Sequence, residues 1–229
     1  MTVPDPSFSA YDSETSEYDI REDGSVDLTV VNEIAGPAVG AFRKRYAEIL
    51  PEERSRRYQE ILGGVAQAAT ATSDLETDVV SYPARRKFSC YIPDFATVQG
   101  DAITIQIPPL ASSVPSFVGS VRKTPFAVSA SDRETETVTV RFPEGYRVVE
   151  HIPEAFAFAD PVDPGKVWLE STVDVAERNG RMEVRIRREV MKRGDSWYRP
   201  ELYELVKDWR RIASSRANRT ITVRRSGGH

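Results

Sequence analysis

Cysteine is almost missing from this chain: Cys90 is the single one in 229 residues. That excludes an internal disulfide framework and a cysteine-based zinc site. Histidine is nearly as scarce, with only His151 and His229, so few metal ligands are on offer and no cofactor is expected. Long apolar runs are absent too. None approaches the ~20 residues that a membrane-spanning helix needs, so no membrane span is expected. No basic n-region followed by an apolar h-region opens the chain, so no secretion signal is read there. An excess of positive charge is also missing. Thirty-one Lys and Arg against 35 Asp and Glu leave a net charge of −4. That balance argues against a dedicated nucleic-acid protein.

What is present is β-rich patterning. Residues 1–17 carry Asp5, Asp12, Glu14 and Glu17 with no base, and read as a polar acidic lead-in. Residues 18–32 alternate around Asp23-Gly24, the strongest short hairpin signal in the chain. Gly36-Pro37 ends that strand. Val39, Phe42, Tyr46 and Leu50 then recur at helical spacing. Pro51-Glu52-Glu53 opens a second helix with Tyr58, Ile61, Leu62 and Val65 as its apolar stripe. From Asp78 the period returns to two through Phe88, Cys90 and Ile92, and Ala102–Ile107 is another strand. The Ser-rich stretch 110–120 is the natural place for a domain boundary.

Beyond it the pattern is mostly strand. Thr137–Phe142 and Tyr146–Glu150 flank the turn Pro143-Glu144-Gly145, and Asn179-Gly180 joins two further strands as a tight hairpin. One amphipathic helix, from Glu201 to Arg216, places Leu202, Leu205, Val206 and Trp209 on one face. Asn218 can cap its end before a final strand at 220–224. The expected architecture is α+β. Residues 18–112 form a small sheet with one or two helices. Residues 118–225 form an antiparallel β-sandwich-like domain with one C-terminal amphipathic helix, and 226–229 form a flexible tail.

The order of these pieces resembles the C-terminal region of bacterial transglutaminase-like proteins. The residues that carry it are Glu22-Asp23-Gly24, then Gly36-Pro37 through Arg43, then Tyr91-Ile92-Pro93-Asp94-Phe95. Arg122-Lys123-Thr124-Pro125-Phe126, Phe142 through Tyr146, Ile152-Pro153, Tyr198, Pro200 and Tyr203 follow. The match runs over roughly residues 18–225. Proteins of that kind join a papain-like cysteine enzyme core to a C-terminal β domain of unknown function. The resemblance implies that the core would precede residue 1, so no catalytic residue carries over. It also implies an accessory, non-catalytic role beside a transglutaminase-like catalytic domain in cis. A periplasmic or envelope-associated location in bacteria follows from the same resemblance.

The residues themselves offer little chemistry. A triad of Cys90, His151 and Asp160 would need a thiol with a lowered pKa. Cys90 alternates with Phe88 and Ile92, which points into a core. Paired acids such as Glu52/Glu53 are most simply solvated or complement a helix dipole. The C-terminal arginines alternate along strands, and the acidic N-terminal segment offers them a partner, so no nucleic acid is expected. Tyr91, Trp168 and Tyr198 are candidate platforms for a peptide or glycan, which makes a stand-alone binding module the alternative function. Arg43 and Arg122 are candidate junction residues, clamping backbone carbonyls or ion pairs.

Overall fold

The computed structural model describes residues 10–47, 49–108, 123–127, 132–159, 167–192 and 197–226. Side chains at 126, 127, 132, 167, 168, 192, 197 and 198 fall outside that description. The first half holds β1 (Tyr11–Ile20), β2 (Val26–Ala35), α1 (Ala38–Tyr46) and α2 (Pro51–Val65). It continues with β3 (Thr70–Ala71), β4 (Glu76–Asp78), β5 (Ala84–Ile92), β6 (Thr97–Gln99) and β7 (Ala102–Gln106). The second half holds β8 (Phe126–Ala127), β9 (Asp132–Arg141), β10 (Tyr146–His151), β11 (Phe156–Ala159), β12 (Val167–Arg178) and β13 (Arg181–Lys192). β14 (Trp197–Tyr198), α3 (Leu202–Ala213) and β15 (Thr220–Arg225) complete it.

The fold is mixed α+β with a β-rich majority. A nine-stranded sheet runs β11-β12-β13-β9-β1-β2-β5-β3, with β4 also on β5. A four-stranded sheet runs β10-β15-β7-β6, and β14 pairs with β8. The pairing is antiparallel except at one place, where a strand of the first half meets one of the second. β1 lies parallel to β9, in register from Tyr11 opposite Arg133 to Asp19 opposite Arg141.

Three expectations change here. Part of the acidic lead-in is a strand: Tyr11–Ile20 sits in the middle of the large sheet. The boundary expected near 110–120 falls outside the described residues, but the sheets do not respect it. β1, β2 and β5 share one sheet with β9, β12 and β13, and β7 shares the other with β10 and β15. Pro143-Glu144-Gly145 does not close a hairpin. β9 pairs with β1 and β13, whereas β10 pairs with β15, so the turn carries the chain from one sheet to the other. Gly145 permits this corner with φ 86°, and Ser226 N–H donates to its carbonyl at 2.9 Å.

Other local signals match the structure. Asp23 accepts from the Ser25 amide and hydroxyl at 2.9 and 2.6 Å, which fixes the β1–β2 turn. Gly24 there has φ 83°, and a Cβ would lie 2.5 Å from the Ala96 carbonyl oxygen, so only glycine fits. Asn179 and Gly180 both take positive φ between β12 and β13, as a tight two-residue turn requires. Asn218 caps α3 as expected, its Nδ2 donating to the Ile212 carbonyl at 2.9 Å.

The main core lies between the two sheets. Val26, Leu28, Val138 and Ile186 of the large sheet join Ile103, Ile105, Ile221 and Val223 of the small one, with Phe42 and Leu62 from the helices. A second cluster forms under α3, where Leu202, Tyr203, Val206 and Trp209 meet Leu169 and Val190. The Trp209 ring stacks on Phe158 at 5.4 Å. Leu205, expected to be buried, is 37% exposed, because the inward face of α3 is carried by Leu202, Val206 and Trp209.

Candidate functional site

A strand shows alternate residues to opposite faces, so register alone sorts the large sheet. On its inner face, Cys90, Leu28, Tyr18, Val140 and Val184 lie side by side across five strands. The neighbouring row is Phe88, Val30, Ser16, Val138 and Ile186. One step further along the strands the chemistry changes. Arg86, Asn32, Glu14, Glu136 and Arg188 form the next row, followed by Ala84, Ile34, Asp12, Glu134 and Val190. The same inner face is therefore apolar at one end and charged at the other.

Arg188 anchors the charged row. Its side chain is 2% exposed and donates to Glu136 at 3.2 Å and to the Pro108 and Asn218 carbonyls at 3.1 Å each. It thereby ties β13 to segments leading out of and into the small sheet. Burial raises the Glu136 pKa, and Arg188 opposes that rise. Asn32 donates to Asp12 at 2.6 Å, yet burial still leaves Asp12 raised.

Arg86 and Glu14 are held far more loosely. Arg86 Nη2 lies 3.9 Å from Glu14 Oε2, beyond hydrogen-bond reach. Arg86 Nε is buried without a partner among the described residues. Desolvation raises the Glu14 pKa. Arg86 pulls it down, while the neighbouring carboxylates Glu136 and Asp12 push it further up. Glu14 keeps 41% of its side chain open, so it remains reachable.

That opening is a cleft of about 640 Å³. Its floor is Glu14, Ser16 and Tyr18 of β1, Val30 of β2, and Arg86 and Phe88 of β5. One wall is α2, through Glu60, Ile61, Gly64 and Val65. The other is Gln106, Ile107 and Pro108 at the end of β7, with Arg219 and Phe95. The Ile107 amide donates to the Arg219 carbonyl at 2.8 Å and fixes that residue at the rim. Phe95 stacks on Tyr18 at 5.5 Å. Arg219 reaches Gln106 Oε1 only at 3.4 Å, and its Nε is buried and unpartnered among the described residues. Gly64 keeps the helical wall low, since a Cβ there would meet nothing within 4 Å.

The residues singled out from sequence lie elsewhere. Arg43, on α1, clamps a loop by donating to the Val80 and Ser81 carbonyls at 3.1 and 3.3 Å. Tyr91 is on the outer face of the large sheet, with the Arg21 guanidinium 5.1 Å above its ring. Neither lines the cleft. Trp168 and Tyr198 contribute backbone to β12 and β14, and their side chains lie outside the description, as do Arg122 and Asp160 entirely. Cys90 is fully buried in the main core, and burial pushes its thiol up to about 11. His151 Nε2 engages the Ala217 carbonyl at 2.9 Å. Among the described residues, no group of three or more His, Cys, Asp or Glu has a metal-binding arrangement. No described helix is long and apolar enough to cross a membrane.

Glu14, Arg86 and Arg219 were not apparent from sequence patterning. Arg86 did leave a trace, as a charge inside the otherwise apolar alternation Ala84, Phe88, Cys90, Ile92. No protein-family model, curated protein or solved structure matches the chain.

Proposed function

We propose that this chain is a non-catalytic, β-sandwich-like binding module that receives an extended peptide in the cleft between α2 and the end of β7. The observation that carries this is the cleft itself, about 640 Å³ and within the range of ligand sites, with aliphatic walls and loosely partnered guanidinium groups. Ile61 and Val65, both partly exposed, suit aliphatic side chains. A glycan site of the usual kind would present an open aromatic platform, whereas Phe88 is 2% exposed and Phe95 is partly buried with its ring stacked on Tyr18. The two-sheet core, shared by Leu28 and Ile105 among others, supports the sandwich-like description. The motif order that resembles transglutaminase-like proteins supplies a setting: an accessory module positioning a peptide substrate for a catalytic domain in cis, at the bacterial envelope.

The test is an amide NMR titration with the tetrapeptide acetyl-Leu-Ala-Val-Leu. Shifts should concentrate at Glu14, Ile61, Val65, Phe88 and Ile107. Gly64→Trp should abolish them, because the new ring enters open space and fills the cleft. Gly63→Trp, equally uncrowded on the same helix, should leave them intact. Shifts spread over the outer face, or unchanged in Gly64→Trp, would reject the proposal.

A further inference from the structure

We infer that the cleft selects a ligand bearing a carboxylate on an apolar body, with Arg86 and Arg219 as the groups that receive the anion. The inference rests on the cleft being the binding site and adds the chemical class of what enters it.

Two guanidinium groups line the cleft, and neither is well matched. A buried N–H without an acceptor carries its full desolvation cost, larger still on a charged group, so native structures rarely leave one. Here both Nε atoms are in that state. The hydrogen-bond acceptors near them are poor: Glu14 at 3.9 Å for Arg86, whose guanidinium also lies 5.9 Å from the Phe88 ring centre, and Gln106 at 3.4 Å for Arg219. Arg188, two strands from Glu14 in the same row, shows what a satisfied arginine looks like in this protein, with three acceptors within 3.2 Å. Arg86 keeps 21% of its side chain exposed, and that part opens on the cleft.

The acids in the cleft do not remove this demand. Glu60 is committed to Arg57 at 2.9 Å on the exposed flank of α2. Glu14 faces Arg86 from β1, with Glu136, Asp12 and Asn32 around it on the sheet. Burial and the two acids raise its pKa and Arg86 opposes the rise, but at 3.9 Å its carboxylate gives Arg86 no hydrogen bond. A carboxylate can meet a guanidinium through two parallel hydrogen bonds, a geometry that Glu14 does not adopt. Ile61 and Val65 then accept the apolar part.

The experiment compares acetyl-Leu-Ala-Val-Leu with its C-terminal amide by calorimetry, with decanoate as a third probe. The acid should bind about tenfold tighter than the amide, as expected for loss of a charge-assisted contact. That gap should shrink in both Arg86→Gln and Arg219→Gln. Decanoate binding as well as the peptide acid would identify a free apolar acid as the source of the carboxylate, and weaker decanoate binding would identify a peptide C-terminus. Equal binding of acid and amide, both lost in Gly64→Trp, would overturn the inference while leaving the cleft as a binding site. A preference for the acid that survives in both arginine variants would overturn the assignment to these residues. No binding of any probe would overturn the inference and the cleft proposal together.

Discussion

The two ends of the inner face of the large sheet use the same strands for opposite purposes. At one end, Leu28, Cys90, Val140 and Val184 are sealed against the small sheet, and Tyr18 and Ser16 bring only neutral hydroxyls among them. At the other, Glu14, Glu136, Arg86 and Arg188 occupy equivalent positions one or two rows away. The first end gains from burial at roughly 25 cal/mol per Å² of apolar surface. The second bears desolvation costs that only exact pairing offsets. Arg188 is exactly paired and buried, whereas Arg86 is loosely paired and opens on a cleft. A sheet built for stability alone would have continued the apolar rows. The charged row, with one end satisfied and the other not, is what distinguishes the charged end from the packed one.

The largest expected effect tests the satisfied end. Arg188→Ala strands Glu136 and two carbonyls in a buried setting, and should cost about 3–5 kcal/mol in urea unfolding. The double variant Arg188→Met/Glu136→Leu should recover most of that loss, since an apolar pair removes the unpaired charge. A double variant no better than the single one would mean that the two carbonyl contacts, and not the ion pair, hold this end together.

Next comes the packed region under α3. Trp209→Ala opens a hole beside Phe158 and should cost about 3 kcal/mol, the lower end for a large aromatic because this cluster lies toward an edge of the sheet. Amide shifts should move around Leu169, Val190 and Leu202 and leave the cleft residues in place. Loss of the cleft signals as well would show that the two regions are coupled, and would weaken the contrast between them.

The smallest effect has an inverted sign. Glu14 holds its proton to higher pH in the folded chain than a free glutamate does. Its ionisation therefore opposes folding. The penalty is absent below the unfolded value near pH 4, grows as pH rises, and is complete above the folded value. Glu14→Gln should raise the Tm at pH 7, and the gain should fade toward pH 4. A variant less stable than wild type at pH 7 would mean that the contact with Arg86 outweighs desolvation.

The packing face was legible in the sequence because it obeys a simple period. Val26, Leu28 and Val30, or Phe88, Cys90 and Ile92, announce strands by alternation, and Asp23-Gly24 and Asn179-Gly180 announce their turns. The helices were equally clear from Val39, Phe42 and Tyr46 and from Tyr58 and Leu62. The charged end hid because its inward residues are polar. Asp12, Glu14 and Ser16 point inward, so β1 lost its apolar alternation and resembled a solvated acidic segment. Phe156–Ala159 was missed as a strand because four residues are too few for a period. Pairing across distance, as between β1 and β9 or β7 and β15, has no local signature at all. It also moved the Pro143–Gly145 turn from a hairpin to a corner between sheets. Arg43 stood out as a junction clamp and Tyr91 as an aromatic platform, and neither role depends on the inner face. Arg86 breaks a pattern inside, which is the informative kind of break.

The contrast between the two ends is tested most directly by a carbon-detected NMR titration of the side-chain carboxyls. Glu14, Glu136 and Asp12 should all titrate above the ordinary carboxylate values of about 4.3 for Glu and 3.9 for Asp, because each is desolvated on the inner face. Midpoints at or below those values would contradict the account. They would mean that the charged row is either fully paired or fully solvated, and that the cleft above it has no unmet charge to offer a ligand.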